Sequence, residues 1–77
     1  MIEERAILHF NKFKNLRNQV VRDSLTGYLY KIVKVRLEKN ATDDYSVLIQ
    51  VRNQLTDQVE ELDSDYAFQN FKELRNT

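Results

Sequence analysis

His9 is the chain's only histidine and the first place to look for acid–base chemistry. A histidine works as a general acid or base only beside a positioned partner group. With no second histidine, two-histidine metal sites and histidine pairs are excluded. His9 lies next to Phe10 at the edge of a helical stripe, which reads as a boundary position. Ser24, Ser46 and Ser64 each fill a structural position, respectively a turn, an outward strand site and a helix cap. Gly27 is the only glycine, so no glycine-rich phosphate loop can form. Asp57, Glu60, Glu61, Asp63 and Asp65 are close in sequence but lack the central glycine and closing bidentate glutamate of a calcium loop. They read as a solvated acidic edge and a helix start, and Asp43 and Asp44 as turn residues. The absence of cysteine removes disulfides and thiolate metal sites. The expectation is a non-enzymatic chain with no catalytic residue, metal, cofactor or small-molecule substrate.

Binding chemistry is better represented. In the run TGYLYKIVKVRLEK, Tyr28, Tyr30, Ile32, Lys34, Arg36 and Glu38 share one face if the alternation is unbroken. Gln50 and Arg52 of the following strand join them. Aromatic rings with nearby cations on a sheet can stack bases and neutralise phosphates. Tyrosine and arginine also dominate protein hot spots. Outward Lys and Arg further serve solubility and blunt edge pairing. The candidate partner-binding residues are therefore Tyr28, Tyr30, Lys34, Arg36, Gln50 and Arg52. A protein partner or self-association ranks ahead of nucleic acid. The expected function is a small protein-interaction or regulatory module acting through its sheet face or helix edge. The alternative is a nucleic-acid-binding module that uses the basic N-terminal half.

These residues need elements to hold them. At about 100° per residue, Ile2, Ala6, Phe10, Phe13, Leu16 and Val20 fall on one stripe, so an amphipathic helix is expected over 3–20, with Leu8 off the stripe. Asp23, Ser24 and Gly27 mark a turn, and 20–22 can form a short strand before it. Residues 28–39 and 45–52 read as an antiparallel hairpin. Its apolar sets share a face if Leu37 opposes Val47, Val35 opposes Ile49 and Val33 opposes Val51. Residues 58–62 are a weaker strand. Residues 63–75 read either as a short helix, about 65–74, or as a 3₁₀ turn leading to a final strand over 70–74. No internal repeat is read. The helix, with Phe68, Phe71 and Leu74 at one end, would cover the hairpin. The expected fold is one α+β domain over 1–77: an N-terminal amphipathic helix on a small antiparallel sheet, with a short C-terminal helix.

The segment VVRDSLTGYLYKIVKV resembles the opening hairpin of SH3-like small barrels, in which a short strand, a glycine turn and a long bent strand follow one another. The resemblance covers about a fifth of the chain. It implies, as the alternative fold, a small barrel behind an N-terminal helix, and it implies no function.

Charge and hydropathy complete the picture. Residues 1–39 hold nine Lys/Arg against four Asp/Glu, a net of +5, and residues 40–77 hold three against eight, a net of −5. Packing is expected to let the halves neutralise each other, the rival being a basic surface for an anionic partner. At 42% hydrophobic residues the chain has ordinary globular usage and should fold. No stretch approaches the roughly 18 apolar residues of a membrane span, and the N-terminus does not read as a signal peptide. The expected setting is cytoplasmic, with no membrane partner.

Overall fold

The computed structural model describes residues 4–42 and 44–74. Its elements run α1 (Glu4–Asn15), β1 (Val20–Asp23), β2 (Leu29–Lys39), β3 (Tyr45–Asn53), β4 (Val59–Asp63), α2 (Ser64–Asn70) and β5 (Phe71–Glu73). All the strands pair antiparallel in the order β4-β3-β2-β1-β5. The two edge strands do not pair with each other, so the sheet is open. The fold is α+β as expected, and the barrel alternative is not closed.

Glu4 in the first turn of α1 and Lys12 and Lys14 in the last each sit at the favourable end of the helix dipole. The helix stops well short of Val20. Asn18 takes a left-handed φ of 70°, which asparagine tolerates better than most residues. The Asn18 amide donates to the Ile32 carbonyl (2.7 Å), and the Ile32 amide donates to Gln19 (3.0 Å). The chain is thus joined to β2 before β1 begins. Ala6, His9 and Phe13 are the buried residues of α1. His9 is 6% exposed, not the boundary residue its neighbours suggest. Ile2, Glu3, Asp43 and Arg75 lie outside the described residues.

The central hairpin keeps two of its three expected pairs: Leu37 opposes Val47 and Val35 opposes Ile49. Val33 does not oppose Val51. Val51 faces Ile32 and Gln50 faces Lys34, so Val33 is the extra residue of a β-bulge. The side chains give the reason. Unbroken alternation would bury Lys31 and expose Ile32. One extra residue shifts the phase, so Tyr30, Ile32, Val35 and Leu37 come to one face and Lys31, Lys34 and Arg36 to the other.

Phe13, Val21, Tyr30, Ile32, Ile49, Val51, Ala67 and Phe71 form the core, with Leu16, Val35, Leu62 and Tyr66 packed against it. Phe13 comes from α1 and Ala67 from α2, so both helices cover the same side of the sheet. Asp63 caps α2, its Oδ1 accepting from the Asp65 amide at 2.8 Å. Phe71 then opens a strand opposite Asp23. The C-terminal segment is therefore a helix followed by a strand, with part of each expected alternative. Phe71 is buried, whereas Phe68 and Leu74 are exposed and do not close the core.

The turns before β2 and β4 are built alike. Residues 21–27 (VRDSLTG) and 51–57 (VRNQLTD) match at four of seven positions, so a short repeat is present after all. Asp23 Oδ1 accepts from the Leu25 and Thr26 amides (2.8 and 3.4 Å), and Asn53 Oδ1 accepts from Leu55 and Thr56 (2.8 and 3.2 Å). The closing residues, Gly27 (φ 80°) and Asp57 (φ 65°), are both left-handed.

Candidate functional site

Residues directly opposed across antiparallel strands share a face. On the side away from the helices, Lys72, Arg22 and Leu29 form one row across β5, β1 and β2. Val20, Lys31, Arg52 and Val59 form the next, across β1 to β4. Lys34, Gln50 and Glu61 follow, then Arg36, Leu48 and Asp63. Six cations thus stand on a sheet face that neither helix covers.

Of the six residues expected to bind a partner, Lys34, Arg36, Gln50 and Arg52 are brought together here. Tyr30 is not. The bulge sends it to the core, where it is 5% exposed and stacks on Phe71 with ring centroids 5.7 Å apart. Burial raises its phenol pKa, and the charge of Glu60 adds to the effect. Tyr28 stays half-exposed, edge-on to Tyr30 at 6.2 Å. By alternation Tyr28 lies on the same side of the chain as Tyr30, so neither expected ring joins the cations of the open face.

The cations differ in what already holds them. Arg36 grips Glu61 with two hydrogen bonds of 2.8 Å and also meets Glu38 at 2.9 Å. The bidentate bond raises the Arg36 pKa and lowers that of Glu61. Arg52 Nε lies 3.9 Å from Asp57. Arg22, Lys31 and Lys72 have no hydrogen bond or ion pair to a described residue. Sequence reasoning missed these three. The signal was the phase break at Lys31-Ile32, which places Lys31 outward and carries Arg22 with it through β1.

One cluster has the composition of a catalytic site. His9 Nδ1 is 2.8 Å from Ser64 Oγ and 3.5 Å from Asp65 Oδ1. Both partners meet the same ring nitrogen, whereas activating a serine needs the hydroxyl on one nitrogen and the carboxylate on the other. Ser64 is 4% exposed, and the cavity beside it holds about 20 Å³, room for a water. The His9 ring stacks on Phe68 at 4.4 Å, and burial lowers its pKa against the opposing charge of Asp65. This is a packed polar contact. Among the described residues, no three His, Asp or Glu side chains converge as metal ligands. The chain matches no protein-family model, no curated protein and no solved structure.

The twin turns add apolar surface beside the cations. Leu25 is 71% exposed and Leu55 82% exposed at their tips, and Tyr28, Leu29 and Val59 are partly exposed nearby in sequence. A hollow of about 290 Å³ is lined by Gly27, Tyr28, Leu29, Gln54 and Leu55. Buried apolar contact rimmed by charge is the usual make-up of a protein interface. No described helix is long and apolar enough to cross a membrane.

Proposed function

We propose that this chain is a small non-enzymatic interaction module that binds an acidic surface of another protein on the open face of its sheet. The observation that carries it is the set Arg22, Lys31 and Lys72: cations on an uncovered face with no acid within the described structure to answer them. The exposed Leu25, Leu29 and Leu55 supply the apolar contact that such a partner would bury. The nucleic-acid alternative keeps its cations but loses its stacking platform, because Tyr30 lies in the core. A cytoplasmic setting belongs to the same proposal, since a cysteine-free chain fits a reducing compartment.

An NMR titration of the full chain with polyglutamate and, separately, with single-stranded oligothymidylate tests this. Polyglutamate should shift the amides of Arg22, Lys31, Arg52 and Lys72. The double variant Arg22→Glu/Lys31→Glu should weaken binding about tenfold or more, as expected when desolvated charge pairs are reversed. Tighter binding of the oligonucleotide, with quenching of Tyr28, would transfer the face to nucleic acid. No shift with either probe would end the proposal.

A further inference from the structure

β2 runs for eleven residues, but β1 accompanies it only from Leu29 to Lys31. Asn18 and Gln19 extend that seam by one residue through their bonds to Ile32. A bulge at Val33 follows, and the chain that precedes Asn18 is the helix α1 and not a strand. From Val33 to Lys39, β2 has a ladder on its β3 side alone among the described residues. Strand residues whose side chains share a face send their backbone groups to the same edge. Ile32 faces the helices and bonds toward the β1 side. Val35 and Leu37 are on that same face, so their N–H and C=O groups point to the open edge.

A groove of about 430 Å³ lies along this edge. Its apolar lining is Phe10 of α1 with Val33 and Val35 of β2, and its cations are Lys14, Arg17 and Lys34. No acidic residue lines it, and none of the three cations has an ion pair to a described residue. An open edge is a template for another strand.

We propose that this edge binds an extended acidic peptide segment of another protein as an added strand continuing the line of β1. Backbone hydrogen bonds to Val35 and Leu37 would hold the segment, which is the usual basis of strand addition. Its carboxylates would meet Lys14, Arg17 and Lys34, and its apolar side chains would cover Phe10, Val33 and Val35. The charge selects the occupant: the same edge of a second copy would set these three cations against themselves. The inference does not rest on the open-face reading, although its groove shares Lys34 and Gln50 with that face.

The test uses the full chain and a seven-residue peptide alternating valine and glutamate, acetylated and amidated. Hydrogen exchange at Val35 and Leu37 should slow tenfold or more at saturation. Lys14→Glu/Arg17→Glu should weaken binding at least tenfold, whereas Arg22→Glu/Lys31→Glu should change it less than threefold. The same peptide N-methylated at every residue keeps its charges but loses every backbone N–H except that of the terminal carboxamide, and it should not bind. Equal binding of the methylated peptide, or no binding of either, overturns the inference. So do shifts confined to Arg22 and Lys31 with unchanged exchange at Val35 and Leu37, an outcome that leaves the open-face reading standing. Protection of those amides before any peptide is added, with a dimer in light scattering, would assign the edge to a second copy instead.

Discussion

Deleting Val33 should leave the protein folded, an outcome that only a bulge explains. Ile32 already faces Val51 and Lys34 already faces Gln50, so removing the residue between them closes the ladder without moving either pair. Val33 is half-buried, and losing it forfeits about 1 kcal/mol of apolar burial. One residue fewer to order returns roughly 1–2 kcal/mol. A regular ladder adds about 1 kcal/mol. Straightening the strand beneath α1 costs roughly 1–3 kcal/mol of packing strain. The net change should stay within about 2 kcal/mol, against roughly 4–12 kcal/mol for a domain of this length. The control is deletion of Gln50 from β3, which carries no extra residue. There the phase flips, so either Val47 and Ile49 or Val51 and Asn53 must leave the interior. Losing core side chains costs roughly 2–5 kcal/mol each, enough to unfold the chain. Urea midpoints give the stabilities, and cross-strand NOEs between 32 and 51 and between 34 and 50 give the register. If the Val33 deletion is as damaging as the Gln50 deletion, the sorting of cations onto one face has been misassigned.

Three further outcomes follow from the same geometry. Tyr30→Ala should cost about 3–5 kcal/mol and Tyr28→Ala less than about 1 kcal/mol in chemical denaturation, because only the first ring is in the core. Asp23 is 1% exposed and accepts from the Tyr66 hydroxyl at 2.6 Å besides its two turn amides. Asp23→Ala should cost roughly 3 kcal/mol or more, whereas Asp23→Asn, which copies Asn53 in the twin turn, should cost about 1–2 kcal/mol. Burial pushes the Asp23 pKa up, but the Tyr66 and amide hydrogen bonds outweigh it and hold it low, while the Tyr66 phenol is pushed up to about 12. The unfolded state then binds the proton first, so stability should fall as pH drops below about 4, less steeply in Tyr66→Phe. His9 has a lowered pKa in the fold, so the unfolded chain also takes up this proton first and Tm should decline as pH falls below about 6.5. His9→Gln should flatten that decline, and an unchanged slope would show that another group titrates.

The elements that could be read from sequence were those with a single period. Ala6 and Phe13 recur on a helix stripe, and Val47, Ile49 and Val51 alternate without exception, so α1 and β3 were plain. β2 was read correctly beyond the bulge and inverted before it. Lys31 and Ile32 were each on the wrong face in an unbroken strand, and the two misfits together are the mark of one extra residue. The burial of His9 was not accessible in this way, since its partner Ser64 is 55 residues distant in the chain. The C-terminal segment was ambiguous for a physical reason. Ala67 and Phe71 are buried at a spacing of four, which suits a helix face and also a helix handing over to a strand. Of the residues expected to bind a partner, Lys34 and Arg36 kept their expected face because they lie beyond the phase break, and Gln50 and Arg52 because β3 has none. Arg22, Lys31 and Lys72 were missed because they depend on it.

A net charge of zero still leaves a cationic face because neutralisation depends on distance. Bonds cross between the basic and acidic halves where strands or helices bring them together, as in Arg36 with Glu61 and Arg5 with Asp65. On the open face, apart from Glu38 at the far end of β2 beside Arg36, the acids enter through β4, at one edge of the sheet. Neighbouring strands are about 4.8 Å apart, so Arg22 on β1, three strands away, lies roughly 14 Å from them. That exceeds the Debye length of about 10 Å at 0.1 M salt. The nearer acids are turned the other way: Asp23 is held inward by Tyr66, and Glu73 opposes Val21 on the helix-covered side. Arg22 and, one strand further, Lys72 therefore keep their field, and no acid among the described residues pairs with them or with Lys31.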